Sequence, residues 1–201
     1  MLISHPHHFI FFAAGRTGTT SIEQCLRPYA DTYVLTAEEE RKYSKHLPPA
    51  VALARLQPQI WNGYFKVAFV RNPWDWMVSR HFHDRLRRGE TGEVSEIKVS
   101  DIQRLCRMRG VRRAISWSPY RTQYSFLSGP EGRIIVDFVG RYERLQEDFD
   151  EICRQAAIPQ QVLPHLNPTL RGCYRDYFRP QSMRLVEQLY WQDISFFGYH
   201  F

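Results

Sequence analysis

Three stretches of the 201-residue chain stand out as mainly apolar and β-rich: "FIFFAA" over 9–14, "YFKVAFVR" over 64–71 and "RIIVDFVG" over 133–140. Apolar runs of this length suit strands buried on both faces of a parallel sheet. A helical pattern follows each run. "GTTSIEQCLRPY" follows the first. "PWDWMVSRHFHDRLRR" follows the second, with Pro73 fit for a first helical turn. "ERLQEDFDEICRQA" follows the third and repeats Leu145, Phe149, Ile152 and Ala156 at helical spacing. Residues 181–197 read as a last amphipathic helix, and 89–100 and 111–132 read as loops. Strands alternating with helices predict an α/β fold with a parallel β-sheet flanked by helices. With 43% hydrophobic residues and no internal repeat or low-complexity linker, one domain spanning 1–201 is expected.

Charge and cysteine usage narrow the classes of function. The formal charge is +6, and of 27 basic residues only Lys42, Lys45, Lys66 and Lys98 are lysine, leaving 23 arginines. Arginine's planar fork suits bidentate binding of phosphate or sulfate. A merely basic surface accounts for the composition equally well, and nucleic acid as a partner lacks a supporting motif. Cys25, Cys106, Cys153 and Cys173 are scattered without a C-x-x-C pair, which fits a reducing compartment and neither a disulfide framework nor a zinc site. No apolar run approaches the ~18 residues that span a bilayer. The amino-terminal "MLISHPHHF" lacks the features of a signal peptide, so a cytoplasmic location is expected. His5, His7 and His8 read as part of a frayed end.

In an open α/β sheet, ligands bind at the carboxyl ends of the strands. The first such end is Gly15-Arg16-Thr17-Gly18-Thr19-Thr20-Ser21, between a strand and a helix. Backbone N–H groups there lack partners, the helix dipole adds positive potential, and the hydroxyls add donors. The turn suits a phosphate-like group; the plainer reading is a helix capped by Thr19 or Thr20 with Arg16 in solvent. A Walker loop needs a lysine after its second glycine and a longer spacing, and neither is present. "RIIVD", ending in Asp137, resembles the acidic strand that holds magnesium in nucleotidases. At the second strand end Arg71 is placed to fork another phosphate, with Ser79 two helical turns on. The plainer reading pairs Arg71 with Asp75. His46, ahead of Pro48 and Pro49, is a candidate general base for a hydroxyl acceptor.

Taken together these segments resemble the PAPS-dependent sulfotransferases, which move a sulfuryl group from 3′-phosphoadenosine 5′-phosphosulfate. "GRTGTTS" resembles their 5′-phosphosulfate loop, usually P-K-x-G-T-T, and "FVRNPWDWMVS" their 3′-phosphate motif. "KHLP" resembles the segment bearing the catalytic histidine of the cytosolic branch. "DFVGRYERLQEDFDEIC", "HLNPT" and "DISFFGYHF" resemble the carbohydrate-type and bacterial branch. The resemblance runs from about residue 8 to 201 and implies a P-loop NTPase-like three-layer sandwich. It implies PAPS as donor and PAP as product, with no metal. Gly15, Arg16, Thr17, Gly18, Thr19, Thr20 and Ser21 would hold the 5′ side, and Arg71 and Ser79 the 3′-phosphate. His46 would be the base, with Glu143 or His165 as substitutes. Arg16 stands where the family has lysine and would act electrostatically, being too weak an acid to give up a proton. "LRGCYRDY" would add Arg171 or Arg175 near the 3′-phosphate, and His165 and Asn167 would either border the acceptor or shape a loop. The branch resembled points to a carbohydrate hydroxyl as acceptor, with lipid, phenol and peptide hydroxyls open. Two alternatives are a magnesium-dependent P-loop kinase of a small molecule and a non-catalytic module for polyanions.

Overall fold

The computed structural model describes residues 1–32, 46–111, 122–166 and 171–201. In chain order the elements are β1 (Leu2–Ser4), β2 (Phe9–Phe12), α1 (Thr19–Leu26), β3 (Asp31–Thr32), α2 (Pro49–Leu53), α3 (Pro58–Gly63), β4 (Phe65–Val70), α4 (Pro73–Arg87), α5 (Val99–Val111), α6 (Gln123–Leu127), β5 (Phe138–Arg141), α7 (Leu145–Gln155), α8 (Pro180–Leu189) and α9 (Trp191–Phe197).

The sheet runs β3-β1-β2-β4-β5. The three expected apolar runs form its parallel part: Phe11 pairs with Val67, and Val67 with Phe138. Alternation along β2 and β4 sends side chains to both faces. Ile10, Phe12, Ala68 and Val70 pack with Ala52, Trp61 and Phe126 of α2, α3 and α6. Phe9, Phe11, Val67 and Phe69 pack with Ile22 and Leu26 of α1 and with Phe149 and Ile152 of α7. Helices therefore cover both faces, which suits mainly apolar strands. Lys66 of β4 is the exception, its Nζ donating to the Trp61 and Tyr64 carbonyls. A third apolar cluster joins Met77 and Val78 of α4 to Ile102 and Leu105 of α5 and Val186 of α8.

The structure departs from the sequence reading at several places. The amino terminus is not frayed: β1 pairs antiparallel with β2, and Leu2 and Ile3 are buried. Only four residues separate β1 from β2, too few for a parallel crossover. The histidines between them are tied down, His5 Nδ1 lying 2.7 Å from Tyr64 Oη and His7 Nδ1 3.1 Å from the Ala156 carbonyl. The third strand starts at Phe138 rather than near 133, because Ile134 bridges antiparallel to Ser128. Within the expected 111–132 loop, Thr122 caps α6. The last helix breaks into two at Tyr190, whose ring is buried against Trp76.

Gly140 of β5 is the register partner of Phe69 on β4. A Cβ there would stand 2.5 Å from Phe69 Cε1, in a ring with no solvent exposure. Gly140→Ala is expected to cost about 1–3 kcal/mol, the range for overpacking a core. A lowered denaturant midpoint at unchanged slope would register it, and an unchanged midpoint would contradict the packing described.

Candidate active site

β2 ends at Phe12, and the chain turns through Gly15–Gly18 into α1. Two residues of the turn are left-handed: Arg16 at φ 70° and Gly18 at φ 78°. Gly18 also lies against Leu145, where a Cβ would come within 2.8 Å of Cδ2. Thr17 is fully buried and its hydroxyl donates to the Ala14 carbonyl at 2.9 Å, so its side chain closes the loop rather than facing a ligand. The N-cap is Gly18, without a side-chain cap, and not Thr19 or Thr20. The Ser21 N–H already donates to the Gly18 carbonyl at 3.1 Å. The first-turn N–H groups before it are the ones a helix leaves without intrahelical acceptors. Ser21 Oγ instead accepts a long contact, 3.4 Å, from the Leu166 N–H.

Arg71 leaves the end of β4 immediately beside this loop. Its main chain is clamped by Gln123, whose Oε1 accepts the Arg71 N–H at 2.8 Å and whose Nε2 donates to the Arg71 carbonyl at 2.7 Å. Asp193, fully buried, accepts the N–H groups of Gln123 and Tyr124 and so holds the clamp. The guanidinium lies over the Tyr142 ring at 3.7 Å. Its Nε donates to Asp75 at 2.7 Å and its Nη1 to the Arg16 carbonyl at 3.2 Å. Asn72 caps α4 by accepting from the Trp74 N–H, which aims the helix and Ser79 at the loop.

Arg16 closes the arrangement. Its Nε and Nη2 donate to Ser79 Oγ at 3.1 and 2.8 Å. That oxygen is used as an acceptor, so the Ser79 hydroxyl proton can be given to an anion. Trp76 Nε1 donates to the Gly15 carbonyl at 2.8 Å and pins the loop onto α4. Arg171 arrives from a distant segment and pairs with the second oxygen of Asp75. The plain pairing of Arg71 with Asp75 is thus present, inside a cluster that also holds Arg16, Ser79 and Arg171. Burial first, then the neighbouring Arg71 and Arg171, hold the Arg16 guanidinium below its ordinary range, with Tyr142 opposing. Packed cations in a partly buried pocket make a place where an anion is stabilised.

His46 lies at the other edge of the loop, its Nδ1 2.7 Å from the Ala13 carbonyl. A carbonyl can only accept, so Nδ1 carries the proton and the basic lone pair of the neutral ring is on Nε2. Arg175 is not brought into the cluster. Its guanidinium stacks on Tyr174 and Phe201, on an adjoining cleft lined by Asn72, Asp75, Glu143 and His200. His165 is exposed, next to the Leu166 that touches Ser21. Asn167 lies outside the described residues. Glu143, a substitute base by sequence, has both oxygens engaged, by the Asn72 N–H and the Tyr199 hydroxyl. Asp137 sits far from the loop: it pairs with Lys66, whose register partner Ile10 lies near the start of β2. That position cannot serve a metal-bound phosphate at the loop, which counts against the kinase reading.

Asp75, Gln123, Tyr142 and Asp193 were not expected at the site. Only Asp75 carried a sequence signal, its i+4 spacing from Arg71; the others reach it from 52 to 122 positions away.

Comparisons with known proteins bear on the family. The model of the family described as "Sulfotransferase family" matches residues 1–200. The chain belongs to the sulfotransferase family. An uncharacterized protein of Archaeoglobus fulgidus is 24% identical over 130 residues, covering 64% of this chain and 98% of that protein. The crystal structure of a sulfotransferase from Alicyclobacillus acidocaldarius superposes with a TM-score of 0.49 at 12% identity, covering 94% of this chain and 92% of that one. Among the described residues of this sulfotransferase-family chain, no helix is long and apolar enough to cross a membrane.

Proposed function

We propose that this member of the sulfotransferase family uses PAPS as donor, sulfates a hydroxyl of a carbohydrate, and does so as one domain over residues 1–201 in the cytoplasm. The observation that carries the donor assignment is the direct contact between the two anion-binding elements. Arg16 reaches Ser79 at 2.8 Å, and Arg71 reaches the Arg16 carbonyl at 3.2 Å. The two grips are therefore close enough for one bisphosphorylated nucleoside to bridge them. The carbohydrate rests on the branch the sequence resembles.

The donor supplies an electrophilic sulfur joined to a phosphate that leaves readily. The first-turn amides up to Thr20 and the Arg16 guanidinium face the 5′ side, where negative charge grows as the sulfur–oxygen bridge breaks. Arg71, with Nη2 remaining beyond its bonds to Asp75 and Arg16, together with the Ser79 hydroxyl and Arg171, takes the 3′-phosphate. His46 Nε2 accepts the acceptor's proton while that oxygen bonds to sulfur. The electron pair of the broken bond leaves on the 5′-phosphate. Positioning and electrostatics account for most of the rate in this scheme. Arg16 contributes charge and no proton. No residue of the scheme calls for a metal ion.

Thermal unfolding with ligands tests the reading. PAP at a hundred times its Kd is expected to add about 2.7 kcal/mol, raising Tm by roughly 5–10 °C. ATP with magnesium is expected to do much less. Salt-sensitive binding of long polyanions with no response to PAP would instead support the non-catalytic module.

A further inference from the structure

Asp75 touches nothing that reacts, yet it stands at the centre of the cationic cluster. Its Oδ2 accepts from Arg71 Nε at 2.7 Å, and its Oδ1 accepts from Arg171 Nη2. All three side chains are nearly closed to solvent, at 12% exposure for Asp75, 6% for Arg71 and 11% for Arg171. The two arginines come from the end of β4 and from a segment 100 positions later, so no local structure holds them side by side. Asp75 itself is set in the first turn of α4, where its N–H faces the Asn72 cap.

We propose that Asp75 is the positioning residue of the donor site, and that by orienting Arg71 and Arg171 it makes the site selective for nucleotides bearing a 3′-phosphate. The role rests on the donor assignment above. The charges support it. Arg16, Arg71 and Arg171 bring three positive charges and Asp75 returns one negative, leaving a balance suited to a phosphate monoester, which carries about −1.5 to −2 at neutral pH. Without the carboxylate, Arg71 and Arg171 lose the acceptor they share and their common orientation, while Arg16 stays on Ser79. A bidentate fork then binds phosphate only after being ordered, and that ordering is subtracted from affinity. Removing a negative charge near a phosphate also relieves a repulsion. That gain is the smaller one, because both oxygens of Asp75 are already matched by guanidinium donors.

The test compares PAP with AMP, which lacks the 3′-phosphate, by calorimetry on the full chain. In Asp75→Asn, PAP affinity is expected to fall about tenfold or more, the scale of coupling between residues in one charged network. AMP affinity is expected to change less than about twofold. Asp75→Glu keeps the charge and moves it by one methylene, so an intermediate PAP affinity is expected. In an Arg171→Ala background the Asp75→Asn effect on PAP is expected to shrink. Equal losses for PAP and AMP, accompanied by a lowered Tm, would reduce Asp75 to a folding role and overturn the proposal. So would wild-type PAP affinity in Asp75→Asn, or full additivity with Arg171→Ala. Should Asp75→Asn fail to fold, Asp75→Glu and Arg171→Ala decide the question through the same PAP and AMP affinities. A wild-type protein indifferent to PAP would defeat the donor assignment first, a result distinct from PAP binding that ignores Asp75.

Discussion

His46→Ala is expected to lose about 10²–10⁴-fold in turnover, the usual worth of a general base, while its affinity for PAP stays at the wild-type value. The geometry separates the two readouts. Nδ1 is committed to the Ala13 carbonyl at 2.7 Å, just past the strand that leads into the Gly15–Gly18 turn. That bond fixes the ring and puts the basic lone pair on Nε2 without involving the nucleotide. His46→Gln serves as the companion variant. Its amide can still donate to Ala13, so loop geometry is retained while proton uptake is lost, and its turnover is expected to be as low as that of the alanine variant. Rates of labelled sulfuryl transfer, set against calorimetric Kd values, make the comparison. Wild-type turnover in His46→Gln would move the base elsewhere. Glu143 is a poor successor because its oxygens hold Asn72 and Tyr199. His165, exposed beside the contact to Ser21, would be next.

Arg71→Ala is expected to weaken PAP binding by about 2–4 kcal/mol, the range for breaking one partner of a buried charged contact. Several effects add. The 3′-phosphate loses a guanidinium that Tyr142 and Asp75 hold in place. Asp75 keeps only Arg171 as a partner and becomes a repulsive neighbour of the phosphate. The carbonyl of Arg16 loses its donor, which loosens the 5′ side as well. The strand end itself survives, because Gln123 grips the backbone of residue 71 and not its side chain. A large loss of affinity with little change in Tm is therefore the expected pair of results. Arg71→Lys keeps the charge but not the fork, and an intermediate loss is expected. Unchanged PAP affinity in Arg71→Ala would remove the 3′ side of the site.

The parallel core of the fold is readable because buried parallel strands need apolar residues on both faces, and "FIFFAA" and "YFKVAFVR" show them at nearly every position, Lys66 excepted. The antiparallel addition was not readable. Leu2–Ser4 is too short to carry a period, and the histidines after it suggested solvent instead of a tied hairpin. "RIIVDFVG" looked uniform, yet its first residues turn away to Ser128, a choice made by a partner and not by local preference. The loop residues and Arg71 were visible as types and spacings. Their mutual distance was not, since it depends on Trp76 pinning Gly15 and on Ser79 facing back from the helix. Thr17 illustrates the limit of motif reading: a hydroxyl in the right place along the chain is spent on Ala14. Gln123 and Asp193 act through main-chain contacts across 52 and 70 positions, where no periodicity points.

Diffraction from crystals grown with PAP decides whether one nucleotide joins the Gly15–Ser21 turn to Arg71. One nucleotide is expected to span both elements, its 5′-phosphate on the first-turn amides and Arg16 and its 3′-phosphate within hydrogen-bond reach of Arg71 and Ser79. A 3′-phosphate turned away from Arg71, or PAP bound elsewhere on the chain, would contradict it.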